Sequence, residues 1–81
     1  MSDVPEEVTS WCRRFATAAG LEPPTNEEVD TLLSLAGVAA HASARQSAPI
    51  TCWLAARAGL SPAEALSIAS GLSDEPNGRN A

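Results

Sequence analysis

His41, Arg45, Pro49 and Thr51 fall within a stretch of eleven residues that gathers a histidine, an arginine and a threonine at an expected helix junction. His41 is the only histidine. A general base needs a nucleophile beside it and a third group to orient it. No serine or cysteine is paired with His41 by spacing, and the carboxylate on its own helical face, Asp30, stands three turns away. Catalysis is not expected. An 81-residue chain also offers little wall for a closed pocket of roughly 300 Å³ or more.

The spacing suits anion recognition better. If one helix ends near Ala44 and the next begins at Pro49, two helix ends of opposite character meet between residues 41 and 51. A helix C-terminus favours cations, which His41 and Arg45 supply. A helix N-terminus presents free N–H groups, here around Ile50, Thr51 and Cys52, and favours an anion. Arg45, His41 and the Thr51 hydroxyl would then suit a phosphate, a carboxylate or another oxyanion, or contact a protein partner. The plainer alternative is that His41 and Arg45 cap their own helix and Thr51 bonds within its first turn.

Metal chemistry is not expected. Cys12 and Cys52 are the only cysteines and stand 40 residues apart, with no Cys-x-x-Cys pair. With His41 they make three soft ligands at no familiar zinc spacing. The chain reads as carrying two free, buried or half-buried thiols, with a disulfide between them as the lesser alternative, and no cofactor.

Composition narrows the class further. The 81 residues make one domain at most. The net charge of −5 argues against a duplex nucleic-acid binder, which must neutralise many phosphates. All five basic side chains are arginines, at 13, 14, 45, 57 and 79. No apolar run approaches the roughly 20 residues of a membrane span. The start, Met-Ser-Asp-Val-Pro-Glu-Glu, is acidic where a secretory signal is basic and then apolar. A cytoplasmic protein with no membrane contact is expected.

Four helices must position these residues, at about 4–19, 26–44, 49–58 and 62–70. The first has Asp3 as cap, Pro5 in its first turn, an apolar stripe through Val8, Trp11, Cys12, Phe15, Ala18 and Ala19, and Gly20 as its left-handed stop. Pro23-Pro24 makes a stiff link. Thr25 and Glu28 have the spacing of a capping box for the second helix. That helix carries a main stripe of Val29, Leu32, Leu33, Ala36, Ala39 and Ala40, and a weaker one of Leu35, Ala39 and Ala42. Its polar strip is Glu27, Asp30, Ser34, Gly37, His41 and Arg45.

The third helix opens at Pro49, buries Ile50, Trp53, Leu54 and Ala58, and ends at Gly59. Ser61-Pro62-Ala63-Glu64 is a second capping box, beginning a fourth helix that turns Ala65, Leu66 and Ala69 inward. Residues 73–81 are polar and rich in breakers, which predicts a disordered tail. Three aromatic side chains are scarce, so Trp11, Phe15 and Trp53 are expected in the core. No strand pattern appears. The expected fold is all-α, a compact four-helix bundle forming a single domain over 1–72.

The junction also carries a resemblance. His41-x-x-x-Arg45-x-x-Ala48-Pro49-x-Thr51, preceded by Leu32-Leu33-x-Leu35-Ala36-x-x-Ala39-Ala40, resembles a small actinobacterial domain family of unknown function. Trp11 and Gly20-Leu21 match the family's early tryptophan and its Gly-Leu after the first helix. The match covers residues 8 to about 69 and departs at Ile50, where leucine is usual, and at Cys52-Trp53. Similar domains occur alone or fused behind a nucleotidyltransferase similar to molybdenum cofactor guanylyltransferase. The resemblance thus implies a role beside molybdopterin dinucleotide synthesis, and no catalytic residues.

The function expected is a non-enzymatic accessory or protein-interaction domain, with that nucleotidyltransferase as its implied partner. The alternative is a small-anion or nucleotide-binding module using Arg45, Thr51, His41 and Pro49. A strip of Leu35, Val38 and Ala42 would, if exposed, serve a partner or a second copy, so a homodimer stays open.

Overall fold

Trp11, Phe15 and Trp53, the aromatic side chains expected to fill the core, are all exposed, at 59, 62 and 58% of their full areas. The computed structural model describes residues 4–73. Within them the chain forms four helices and no strand: α1 (Glu6–Ala18), α2 (Asn26–Ala42), α3 (Ser47–Arg57) and α4 (Pro62–Ser73). The fold is all-α, as its periodicity requires. It divides into two compact units, Met1–Asp30 and Thr31–Ala81.

In the first unit, α1 starts two residues later than expected. Pro5 is extended, at φ −61° and ψ 148°, and its carbonyl accepts the Val8 N–H at 3.0 Å. A proline disfavours helical geometry in the residue before it, so Val4 does not open the helix. Pro5 takes the capping position without a side-chain bond; Asp3 lies outside the described residues. Glu6 and Glu7 sit in the first turn, where the dipole favours them.

The helix closes with the Leu21 N–H donating to the Ala16 carbonyl at 2.8 Å and the Gly20 N–H to Thr17 at 3.1 Å, with Gly20 at φ +79°. This is a Schellman closure, and it needs the left-handed backbone that glycine allows. The capping box follows: the Thr25 N–H donates to Glu28 Oε1 at 2.8 Å, and the Glu28 N–H to Thr25 Oγ1 at 3.0 Å.

The second unit repeats that punctuation. The Leu60 N–H donates to the Ala55 carbonyl and the Gly59 N–H to Ala56, each at 3.1 Å, with Gly59 at φ +74°. The Ser61 N–H then donates to Glu64 Oε1 at 2.8 Å and the Glu64 N–H to Ser61 Oγ at 3.1 Å. Gly71 keeps helical geometry, so α4 runs three residues past its expected end, to Ser73. The rest of the expected disordered tail lies outside the described residues.

The core of this unit is Leu35, Ala55 and Ala65, with Leu32, Cys52, Leu60, Leu66 and Ala69 packed against it. Leu35 is fully buried. Both stripes of α2 contribute. Leu32 of the main stripe packs against the core, Leu33 is half out of it, and Ala42 of the other stripe is exposed. Ala39, shared by the two, is buried, and Leu35 of the stripe expected to be weaker is at the centre. Leu35 therefore cannot belong to an exposed strip. The helix α3 is turned from its expected orientation: Ile50, Trp53 and Leu54 are on the outside, and Cys52 and Ala55 point inward. Small residues explain the choice. Ala55 and Ala65 let the helix backbones approach Leu35 closely, where a tryptophan or isoleucine would hold them apart.

Candidate functional site

The helix junction is built differently from its expected form. Helix α2 ends at Ala42, two residues early, and α3 opens at Ser47 instead of Pro49. The Ser47 N–H donates to the Ala44 carbonyl at 2.9 Å and the Ala48 N–H to Arg45 at 3.1 Å. Pro49 becomes the third helical residue, still within the first turn, where its missing N–H costs no helical bond.

That start commits two of the donors at the N-terminus of α3. Ser47 and Ala48 are bonded to the preceding turn, Pro49 has no N–H, and Thr51 and Cys52 lie deep enough for the regular bond to the fourth residue back. Gln46, in the capping position, makes no side-chain bond there. His41 stands in the last turn of α2, and both His41 and Arg45 are exposed. Neither lines a groove described below.

Thr51 is placed elsewhere. It lines an open groove of about 270 Å³ in the second unit, with Val38, Ala42, Ser43, Ser47 and Leu72. The Ser47 hydroxyl donates to the Ser43 hydroxyl at 2.8 Å along its wall. Of the four junction residues, Thr51 alone lines this groove.

The larger concavity belongs to the first unit, and sequence reasoning missed it. An open groove of about 500 Å³ is lined by Trp11, Cys12, Phe15, Leu21, Glu22 and Glu28, with Ala16 and Pro24. Trp11 and Phe15 sit one turn apart on α1 with ring centroids 6.3 Å apart and planes tilted by 42°. The Schellman closure folds Leu21 back beside Ala16, and the capping box holds the Glu28 carboxylate in place.

One signal in the sequence pointed outward. Each tryptophan has an arginine a turn later: the Arg14 guanidinium lies 5.8 Å from the Trp11 ring centroid, and that of Arg57 lies 4.9 Å from the Trp53 ring. A guanidinium covers an indole most cheaply where water still reaches the charge.

Both cysteines are free and half-buried. Desolvation pushes the Cys52 thiol above its ordinary value of 9.0, so it stays protonated and poorly nucleophilic at neutral pH. Among the described residues, no three His, Cys, Asp or Glu side chains gather as a metal site. No helix there is long and apolar enough to cross a membrane.

Comparison with known proteins gives one match. A family model described as "Domain of unknown function (DUF6457)" matches residues 3–77, nearly the whole chain. The chain belongs to this DUF6457 family. No curated protein and no solved structure matches it.

Proposed function

We propose that this DUF6457 domain is a non-enzymatic interaction module, and that its α1 groove receives an amphipathic helix from a protein partner. The observation that carries the reading is the placement of Trp11 and Phe15. A small chain with three aromatic side chains leaves all three more than half exposed and uses two of them to wall a groove. Aromatic anchors in a pocket are where binding energy concentrates. A helix presenting apolar residues every three or four positions fits such a groove.

Charge selects the helix. Residues 1–30 carry seven carboxylates against Arg13 and Arg14, and the only charged side chains lining the groove are Glu22 and Glu28. A partner helix flanked by lysine or arginine is complementary to it. His41 lines neither of the two grooves, and the Ser47 and Ala48 N–H groups at the start of α3 are committed to the preceding turn, so binding of a protein is favoured over binding of a small anion. The resemblance at residues 41–51 makes a nucleotidyltransferase of molybdenum cofactor synthesis, met in the cytoplasm, the first partner to test.

The test is a titration of the Trp53→Phe domain with that purified enzyme, following Trp11 emission. A saturable blue shift is expected, weakened about tenfold or more by Phe15→Ala. Absence of any shift removes this enzyme as the partner. Undiminished binding by Phe15→Ala would sink the groove itself.

A further inference from the structure

The helix α3 is apolar on both sides. Cys52 and Ala55 face the core, while Ile50, Trp53 and Leu54 are 56, 58 and 54% exposed on the opposite side. A helix that is apolar all round is normally covered on both faces. Ile50, Trp53, Leu54 and Arg57 follow at positions i, i+3, i+4 and i+7, the spacing by which one helix packs along another.

Charge identifies what covers that face. The helices α1, α2 and α4 each carry at least one carboxylate, but α3 carries none. Across residues 31–73 the only carboxylate is Glu64, against Arg45 and Arg57. The chain as a whole bears −5, so two copies repel one another over most acidic surfaces. On α3 repulsion between carboxylates is absent. The one charge present, Arg57, is spread over the Trp53 ring 4.9 Å away.

We propose that the outer face of α3 is the contact between two copies of this chain, related by a two-fold axis. An isologous contact sets the same patch of both copies face to face, which an apolar stripe whose single charge is spread over an indole tolerates and an acidic one does not. The contact is a weak one. Trp53 contributes about 150 Å² and the three side chains together fall short of the roughly 800 Å² that each partner gives a standard interface. Association is therefore concentration-dependent. It uses a different surface from the α1 groove and stands or falls separately from partner binding there.

The experiment is sedimentation of the full chain over a wide dilution series, paired with Trp53 emission in a Trp11→Phe background. A monomer–dimer equilibrium is expected, with Trp53 emission moving to the red as dimers dissociate. Ile50→Glu should abolish the dimer, and Trp53→Ala should raise its dissociation constant about thirtyfold or more, both with helicity unchanged by circular dichroism. Trp53→Ala only shortens an exposed side chain, so it decides the matter if Ile50→Glu fails to fold. Phe15→Glu, on the α1 groove, should leave the dimer intact. A wild-type chain that is monomeric at every concentration overturns the proposal. So does a dimer that survives Trp53→Ala, or one that is lost only with Phe15→Glu.

Discussion

The Leu60 N–H donates to the Ala55 carbonyl at 3.1 Å, and this bond ends α3 while returning Leu60 to the core that Ala55 helps to form. It depends on Gly59 at φ +74°. Alanine there meets no neighbouring atom, so its cost is purely conformational, about 1–2 kcal/mol. Gly37 sits within α2 at no positive φ, also with open space around it. Gly37→Ala should therefore stabilise the fold by about 0.5–1 kcal/mol. Denaturant unfolding of Gly59→Ala and Gly37→Ala should give changes of opposite sign.

Leu35 is the one large side chain fully removed from water among the described residues. Truncating it loses its transfer energy and opens a cavity among alanines that have little to fill it with. Leu35→Ala should cost roughly 2–5 kcal/mol. Natural stability at this length is of the same order, so the variant should show lost or strongly weakened thermal cooperativity. By contrast Trp11→Ala, at an exposed position, should melt close to wild type.

The Ser61–Glu64 box satisfies two backbone donors at the start of α4. Ser61→Ala removes the acceptor for the Glu64 N–H and should cost about 1 kcal/mol. Ser61→Asp retains an acceptor at that position and should recover most of it. Equal losses in both variants would deny the cap its role.

Burial holds the Cys52 thiol above 9.0 in the folded chain. The unfolded thiol ionises first as pH rises, so between its ordinary pKa and the raised folded value the unfolded state binds fewer protons. Stability from this group is complete below about pH 9 and falls as pH rises above it. Cys52→Ala should flatten that alkaline decline in a pH series of denaturant midpoints.

The Ser47 and Ala48 N–H groups are committed to the preceding turn. Phosphate, molybdate and GTP should consequently leave the amide resonances of Arg45, Ile50 and Thr51 unmoved at neutral pH. Saturable shifts at those three positions would restore an anion site at the junction.

Much of the secondary structure was legible residue by residue. Gly20, Gly59, the Thr25–Glu28 pair and the Ser61–Glu64 pair each act through bonds three to five residues long, so their spacing alone marks where helices stop and start. Junctions lacking such a device were less legible. Pro5 and Pro49 are both compatible with several places in a first turn, and each helix start moved by two residues.

The site was less legible still, because hydrophobicity states a preference for burial and not the place where burial is available. From the sequence alone came an all-α chain, its four helices, two free thiols and a net charge of −5. Which apolar face of each helix meets the core was decided only in three dimensions. Ala55 and Ala65 close around Leu35 because small side chains let helices approach, and that geometry turns Trp53 outward. On α1, Trp11 and Phe15 remain at the surface as the walls of a groove.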